Sequence, residues 1–452
     1  MDSDSIEAHL TSRRKKKSGL QPSAQCADCA QYCYKVSYPG DYEITKKAGK
    51  NQDLVNKMEV GSSSLQKPST TRDHISIEIT NEDILLSSIK EKMGCISVSH
   101  SVCKVPEFFF KGNEGKYFPS LVSIGPFHHG KHDLKFMEDQ KWRYFNTLLS
   151  RKPNADSTLD SCIKALRDVE LKARKFYGET INIGSDEFVE MLLLDGCFII
   201  ELFLEYAIKN LRRRDDPCFS TNDRIFRLRC DLILFENQLP FFILDQIFHL
   251  VPIPKQCDQI SLFDLALCFF RKLIPGDHTQ FPVEIFAPKT DHLLDLIRQH
   301  YLPTVPEVKV LSSDSQTHIH QATHLSAVGI RVENAISESP SNINFFNGEL
   351  KIPSLEIHGY TEILFRNLIA MENCDPQCSK HVTSYLIFMR RLIRSKRDVR
   401  LLQDKEIIID GHEREGEIVH LFQRIQVDIN EEEFLLDYYL NSSMEFILRG
   451  LS

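Results

Sequence analysis

The stretch DLILFENQLPFFIL, from Asp231 to Leu244, is an apolar run that Glu236, Asn237 and Gln238 interrupt just before Pro240. A run this apolar must be buried, so the polar triplet has to be hydrogen-bonded there or exposed for use. Proline lacks an amide hydrogen and disfavours helix at the residue before it, which predicts a break between two buried helical segments. The triplet can bond the backbone groups freed at that break, or it can present a carboxylate and two amides to a ligand. The structural interpretation is favoured, because broken helices need such partners.

Helical periodicity dominates the chain on both sides of this stretch. Apolar residues recur every three or four positions from Leu159 to Phe176, with Ser157 available as the N-cap. A second helix is predicted from Leu134 to Leu149, in which Glu138 and Lys141 form a surface pair one turn apart. Further helices are predicted at Ser261–Leu273, His292–Tyr301, Thr361–Glu372, Ser379–Ile393 and Glu415–Gln426, with another helix start at Asn430.

The stretch INFFNGELKIPSLEI, Ile343 to Ile357, departs from the helical pattern. Asn347 and Gly348 lie between two short apolar runs, and both tolerate positive φ, which predicts a two-residue hairpin turn. Pro353 should then limit the second strand or place it at a sheet edge. The predicted fold class is mainly α: a large helical domain with a small β-hairpin and a disordered N-terminal arm.

The first seventy or so residues have a different composition, rich in Ser, Lys, Gln, Asp and Thr. They carry too little apolar surface to offset the entropy of ordering, so residues 1–72 are predicted to be a disordered arm and 73–452 the helical domain. A weak boundary within that domain is predicted at 303–316, where prolines precede a polar, serine-rich stretch. The arm contains a basic run that suits nuclear targeting or loose contact with an anionic membrane, or is simply a solvated tail. That run is Arg13, Arg14, Lys15, Lys16 and Lys17.

Composition narrows the possible classes of protein. A net charge of −8 and a pI of about 6.1 argue against nucleic acid as a partner, because polyanion binding needs a basic face. Thirteen cysteines without a signal sequence point to a reducing compartment with free thiols. The most apolar long window, Phe188 to Ala207, carries four carboxylates, so no membrane-spanning segment is expected. The expected location is the cytoplasm or the periphery of the plasma membrane.

The arm contains a pattern that resembles half of a zinc site: Cys26, Cys29 and Cys33 have the spacing C-x-x-C-x-x-x-C. Zinc needs four ligands, and no clean second pair follows nearby. The remaining ligands would have to come from distant residues, so metal binding is the weaker interpretation and no cofactor is expected. Those distant candidates are Cys374, Cys378 and His381.

The stretch VSIGPFHHG forms a predicted tight turn that contains Gly125, Pro126, His128 and His129. It has neither of the glycine spacings of phosphate-binding loops. The histidines are candidates for a base or for metal ligands, but adjacent residues point in different directions and no third ligand is evident. A structural turn with one histidine bonded to backbone is favoured.

These motifs, in this order, resemble those of the plant family called domain of unknown function 247. It covers roughly Asp73 to the C-terminal region, including the Asp195-Gly196 pair within LLLDGCFIIEL. The matching stretches are Val105–Pro106, Tyr117, Pro119, Ile124–Gly130, Met137–Glu138, Lys141, Leu192–Leu202, Asp231–Leu244, His292–Ile297, Asn347–Leu355, Phe365–Asn373, Ser384–Ile393 and Asp398–Leu402.

The resemblance implies no enzymatic activity, because none is established for the family. Its members are usually expected to end in a hydrophobic membrane helix, and some members in grasses are associated with pollen self-incompatibility. That helix would follow the segment near Asp437, whereas this chain ends at Ser452 after NSSMEFILRGLS. Membrane anchoring by that route is therefore not expected here.

Two functions of different class follow from these observations. The first, which is favoured, is a non-enzymatic protein-interaction or signalling module, with self-incompatibility as a narrower version. The second is a hydrolase or transferase of unfamiliar type, in which folding brings Asp195, Glu236 and His128 or His129 together. A buried carboxylate with a raised pKa can serve as a general acid or base. Most buried carboxylates instead bond neighbouring groups, which favours the module.

Overall fold

The computed structural model describes residues 101–151, 155–257, 259–275, 290–303, 320–337, 339–375, 378–410 and 414–425. All of them belong to one compact unit of the chain. Several predicted features lie outside the described residues: the polar arm with its boundary at 72, the basic run, the three arm cysteines, the helix start at Asn430 and almost all of 303–316.

Helices dominate the described ranges, which confirms the mainly α fold class. They are α1 (Glu107–Phe110), α2 (Lys135–Leu149), α3 (Ala155–Lys175), α4 (Ser185–Ala207), α5 (Asn222–Leu232), α6 (Phe241–Leu250), α7 (Leu262–Phe270), α8 (Leu293–Gln299), α9 (Ala322–Ala327), α10 (Thr361–Cys374), α11 (His381–Leu392), α12 (Lys396–Asp404) and α13 (Glu415–Arg424). The strands are β1 (Arg331–Ala335), β2 (Asn344–Phe346), β3 (Glu349–Pro353), β4 (Leu355–Ile357) and β5 (Ile408–Asp410).

Helix α4 forms the centre of the core. It is apolar around most of its circumference, as expected of a helix surrounded by protein, and α2, α3, α6 and α7 pack against it. Gly196 allows α6 to approach closely, because a Cβ at this position would overlap Ile247 Cδ1. The same helix carries the buried carboxylates Asp195, Glu201 and Glu205, which therefore need partners inside the core.

The predicted hairpin is confirmed. Strands β2 and β3 are antiparallel, and the turn residues Asn347 and Gly348 have φ values of 51° and 74°, which suit a two-residue hairpin turn. Strand β1 pairs in parallel with β3, so β3 lies in the centre of a three-stranded sheet. Pro353 is the last residue of β3 and limits the strand as predicted, but the alternative that it marks a sheet edge is wrong.

Two details of the predicted helices need correction. Helix α3 already begins at Ala155, so Ser157 lies inside the helix and is not its N-cap. Lys141 is fully buried, so its contact with Glu138 is not a surface pair. The reason is Asp195 of α4, which lies 2.6 Å from Lys141 Nζ and gives the ammonium group a partner in the core.

No helix in the described ranges is both long and apolar enough to cross a bilayer. Helix α4 has the length, with 23 residues, but three buried carboxylates interrupt its apolar surface. Charged groups of that kind are costly in hydrocarbon.

Candidate functional site: a segment anchored by buried polar side chains

The polar triplet of residues 236–238 lies in the turn between α5 and α6, at the predicted break. Gln238 Nε2 donates to the carbonyl oxygens of Leu232 and Leu234, both at 2.8 Å, and Oε1 accepts from Leu294 N at 3.2 Å. Gln238 therefore bonds carbonyl groups freed where α5 ends and an amide group freed where α8 begins. Its side chain is buried and fully engaged in the fold.

Asn237 connects the turn to a distant part of the chain. Its Oδ1 accepts from Ile124 N at 2.7 Å, while Nδ2 donates to the carbonyl oxygens of Val122 at 3.0 Å and Asp231 at 2.9 Å. Both amide hydrogens and the amide oxygen are used. We call Ser101–Lys131 the anchored segment, because side chains of the helical body hold it at several such points.

Asp231, the last but one residue of α5, holds the anchored segment at a second point. Its carboxylate accepts from the backbone N–H groups of Ser120 at 3.0 Å, Leu121 at 2.6 Å and Val122 at 2.9 Å. Burial raises the pKa of Asp231 to about 6. These hydrogen bonds and the charge of Arg227 lower the pKa, but the effect of burial is larger. Asp231 was not among the predicted site residues. Its position at the start of an apolar run could have indicated that its carboxylate is buried.

Glu236 holds the start of the anchored segment, since its Oε1 accepts from Val105 N at 2.7 Å. Its Oε2 lies 3.4 Å from His128 Nε2. On the other side of the ring, Lys131 Nζ lies 2.7 Å from His128 Nδ1. An ammonium group can only donate, so Nδ1 accepts and the neutral ring carries its hydrogen on Nε2, facing Glu236.

The contact between His128 and Glu236 is not an ion pair at neutral pH. Burial, with the charges of Lys131 and Lys104, lowers the pKa of His128 to about 3. Burial also raises the pKa of Glu236, partly offset by the Val105 hydrogen bond. Nε2 is not aligned for a hydrogen bond with any described residue, so the 3.4 Å separation is a loose polar contact.

At Gly125 the backbone of the anchored segment lies directly against the helical body. Its backbone N–H donates to Asp195 Oδ2 at 2.8 Å, while Asp195 Oδ1 contacts Lys141 Nζ at 2.6 Å. With φ of +73°, Gly125 places its Cα so near the turn that a Cβ would lie 2.5 Å from Gln238 O. Glycine is required here both for its backbone conformation and for its missing side chain.

The structure brings together some of the proposed catalytic residues. His128 and Glu236 are in contact, whereas Asp195 bonds Gly125 and Lys141. All three are buried, with exposed fractions of 2%, 6% and 1%. His129 instead faces Glu187 at 3.6 Å, and Pro126 lies half-buried in the turn. The arrangement supports the structural interpretation, because the carboxylates and amides are occupied by backbone groups.

Metal-ligating side chains do not cluster in the described ranges, where no group of three or more His, Cys, Asp or Glu residues is placed to hold an ion. Those ranges include Cys374, Cys378 and His381. The candidate ligands of the arm, Cys26, Cys29 and Cys33, lie outside the described residues.

A second buried polar cluster, which was not predicted from the sequence, joins the end of α4 to the turn after it. Asp216 Oδ1 accepts from Tyr144 Oη at 2.9 Å and from Cys218 N at 2.8 Å. Among the described residues, no donor reaches Asp216 Oδ2 or either carboxyl oxygen of Glu205. Burial and the neighbouring charges of Asp216 and Glu201 raise the pKa of Glu205 to about 9. Glu205 therefore keeps its proton in the folded protein at neutral pH.

Replacing Glu205 with glutamine should weaken the dependence of stability on pH. Unfolded, this carboxyl ionises near 4.5, whereas the folded protein keeps the proton up to about pH 9. Between these values the unfolded state binds fewer protons, so wild-type stability falls as pH rises, by up to about 1.4 kcal/mol per pH unit. Glutamine is close in shape to a protonated glutamic acid but cannot titrate. Urea unfolding at about pH 6 and about pH 8 should show the variant losing less stability than wild type.

The matched control for this prediction is Glu190→Gln, which changes an exposed residue of the same helix. It should follow the wild-type pH dependence. A Glu205→Gln variant with the wild-type slope would contradict the raised pKa of Glu205.

Comparison with known proteins places the chain in a family. The model of domain of unknown function 247, described as a plant protein of unknown function, matches residues 102–446. The UPF0481 protein At3g47200 of Arabidopsis thaliana is 30% identical over 384 residues, which cover 80% of this chain and 78% of that protein. A second Arabidopsis thaliana UPF0481 protein, At3g02645, is 25% identical over 214 residues, covering 46% of this chain and 39% of that protein. No solved structure matches. The chain belongs to the plant family domain of unknown function 247.

Proposed function

We propose that the protein is a non-enzymatic protein-binding module and that the anchored segment forms part of its recognition surface. The observation that carries the proposal is the way the segment is held. Buried side chains of the helical body accept from six of its backbone N–H groups: those of Val105, Ser120, Leu121, Val122, Ile124 and Gly125. An irregular surface segment fixed on a rigid scaffold is the usual position of binding residues.

A further contact extends this scaffold to α10. Asn367 Nδ2 donates to Lys116 O at 2.9 Å, and its Oδ1 accepts from Phe235 N at 2.9 Å. One buried amide thus links the anchored segment, the turn after α5 and helix α10. A partner would therefore meet a segment whose backbone is already ordered, which lowers the entropic cost of binding.

The outer part of the anchored segment offers an aromatic side chain to a partner. Phe108 is 56% exposed, although the neighbouring Phe109 is buried and holds α1 against the core. Exposed aromatic residues on a fixed backbone are characteristic of the residues that dominate binding energy at protein interfaces. Phe108 is the residue on which we base the test.

The second candidate function, a hydrolase or transferase of unfamiliar type, has one observation in its favour. His128 and Glu236 are in contact, and a neutral imidazole beside a carboxylate is a possible base. Both side chains are buried, however. Glu236 Oε1 already accepts a hydrogen bond from Val105 N, and His128 Nδ1 already accepts one from Lys131 Nζ. The binding module is the better supported function.

The test compares partner recovery between two surface variants. Crosslinking and mass spectrometry from the native tissue should identify a protein that binds the wild type and a form lacking Met1 to Gln66 equally well. Phe108→Ala should reduce its recovery at least about tenfold, as expected for an interface anchor. Leu171→Ala, which changes a side chain that is 58% exposed on α3, is the matched control and should not reduce recovery.

A second variant tests whether the buried anchors support binding. Glu236→Ala removes the acceptor for Val105 N and should weaken partner recovery in the folded protein. Unchanged recovery in both Phe108→Ala and Glu236→Ala would contradict the proposal. Recovery of a copurifying small molecule without a protein partner would favour the enzyme and make His128→Gln the next variant.

The cellular setting is a separate proposal. We propose a protein of the cytoplasm that attaches peripherally to the plasma membrane, and the basic run from Arg13 to Lys17 supports the membrane contact. Replacing its five residues with glutamine should release a fluorescent fusion from the membrane; an unchanged distribution would contradict peripheral attachment. Self-incompatibility is a narrower version of the binding function, and partner identity is its test.

A further inference from the structure

Two histidine rings meet at the start of α9. The sequence HIHQATH, residues 318–324, has the spacing H-x-H-x-x-x-H, and a short histidine-rich tract of this kind is typical of metal binding. The structure describes its second and third histidines, His320 and His324. Both side chains are exposed, and their ring centroids lie 4.5 Å apart. The two rings therefore form a candidate pair of metal ligands on the surface.

The backbone beneath this pair is firmly held. Thr323 donates from its backbone N and from Oγ1 to Asp398 Oδ1, at 3.0 Å and 2.7 Å. Ala322 and Leu325 are fully buried, and α9 packs against α12 and β1. His324 thus projects into solvent from a fixed backbone. A ligand held in this way loses little freedom when it binds an ion.

The separation of the two rings matches that of two imidazoles on one ion. A metal–nitrogen bond is about 2.0–2.1 Å long and the ring centroid lies about 1.2 Å beyond the nitrogen, so each centroid lies about 3.2 Å from the ion. Two such bonds that meet at a right angle place the centroids about 4.5 Å apart, and the tetrahedral angle places them about 5.2 Å apart. The observed 4.5 Å agrees with the first arrangement. Rotation of the exposed side chains then turns one nitrogen of each ring towards the ion.

The chemistry of the ligands selects the class of ion. Calcium and magnesium prefer oxygen ligands, whereas imidazole suits zinc, copper and nickel. A right angle between two ligands suits the square-planar or octahedral coordination of Cu²⁺ and Ni²⁺. Two protein ligands leave the other positions to water, so the pair is smaller than the three-residue groups that the described ranges lack.

We propose that His320 and His324 together bind one divalent transition-metal ion at the protein surface, with water completing its coordination shell. His320 precedes the N-cap Gln321, and His324 lies in the first turn of α9. The bound ion would therefore link the incoming chain to this helix. The site uses no residue of the anchored segment, so its failure and that of the binding function are separable.

Protection of histidines from diethyl pyrocarbonate tests the site in the full-length protein, with Ni²⁺ as the probe. Ni²⁺ is chosen because zinc and Cu⁺ favour thiolates, and the chain has thirteen cysteines. The reagent attacks a ring nitrogen that has a lone pair. A coordinated ring has none available, because its other nitrogen carries the hydrogen. Mass spectrometry should show His320 and His324 becoming protected at the same Ni²⁺ concentration, and EDTA should make both reactive again.

Two variants, His320→Gln and His324→Gln, each remove one ligand at an exposed position, where the substitution leaves the core intact. The second bond to an ion that one histidine already holds is intramolecular. Its loss should therefore raise the Ni²⁺ concentration for half-protection of the remaining histidine at least about tenfold. The matched control is His420→Gln, which changes the single, exposed histidine of α13 and should keep the wild-type value for the pair. In the wild type, His420 itself should need at least about tenfold more Ni²⁺ than the pair.

Three results would overturn the proposal. If His320 is protected equally well in wild type and in His324→Gln, another residue holds the ion. If neither histidine of the pair is protected, the ring contact does not bind metal. If His420 is protected at the same Ni²⁺ concentration as the pair, the two rings act as separate surface histidines and not as a chelating site.

Discussion

Replacing Asn237 with aspartate should lower the free energy of unfolding by about 3–5 kcal/mol, although the two side chains have nearly the same shape. The amide nitrogen donates to the carbonyl oxygens of Val122 and Asp231. In aspartate, an acceptor oxygen takes the place of that nitrogen and faces two other acceptors. The carboxylate must then be buried beside them or take up a proton, and at least one carbonyl group loses its partner. Both outcomes are costly in a site that is almost completely shielded from water.

Urea unfolding of the two proteins at neutral pH measures this difference. Asn373→Asp is the matched control: Asn373 is half-buried on α10, and its Nδ2 makes a single hydrogen bond, to Ile369 O. That variant should lose less than about 1.5 kcal/mol, the net value of an ordinary hydrogen bond. Equal losses in the two variants would mean that Asn237 is not a structural link between the turn and the anchored segment.

The elements of this fold that could be predicted from the sequence are those set by local pattern. The apolar period of Leu159 to Phe176 depends only on neighbours three and four positions away, and it predicted the helix correctly. The hairpin at Asn347 and Gly348 was equally local, because positive φ is a property of the turn residues themselves. Strands β1, β4 and β5 were missed, since their parallel partners come from elsewhere in the chain.

The site could be located from the sequence but its connections could not. A polar triplet in an apolar run predicted buried hydrogen bonds, and Gln238 bonds the freed carbonyl groups as expected. The partner of Asn237 could not be found in this way, because Ile124 is 113 positions away and is an ordinary apolar residue whose backbone does the bonding. Lys141 was misplaced on the surface for the same reason: its partner Asp195 is on another helix.

Replacing Gly125 with alanine should lower the free energy of unfolding by about 3–5 kcal/mol, from two causes that add. The backbone has φ of +73°, a left-handed conformation that costs an L-residue about 1–2 kcal/mol. The new Cβ would also lie 2.5 Å from Gln238 O and 3.2 Å from Tyr177 Oη. Neither the turn carbonyl nor the fully packed tyrosine can move without disturbing its own hydrogen bond, which joins the two groups at 3.1 Å.

Gly130→Ala separates the two causes. Gly130 has nearly the same φ, +75°, but no atom lies within 4 Å of the position that its Cβ would take, so only the backbone cost of about 1–2 kcal/mol applies. The difference between the two variants in urea unfolding therefore measures the close approach of the anchored segment to the turn. If both variants lose the same stability, the segment can move away from Gln238 O at no cost, and the hydrogen bond from Gly125 N to Asp195 does not fix it there. A larger loss at Gly125 would make this contact the point at which the anchored segment is fitted to the helical body.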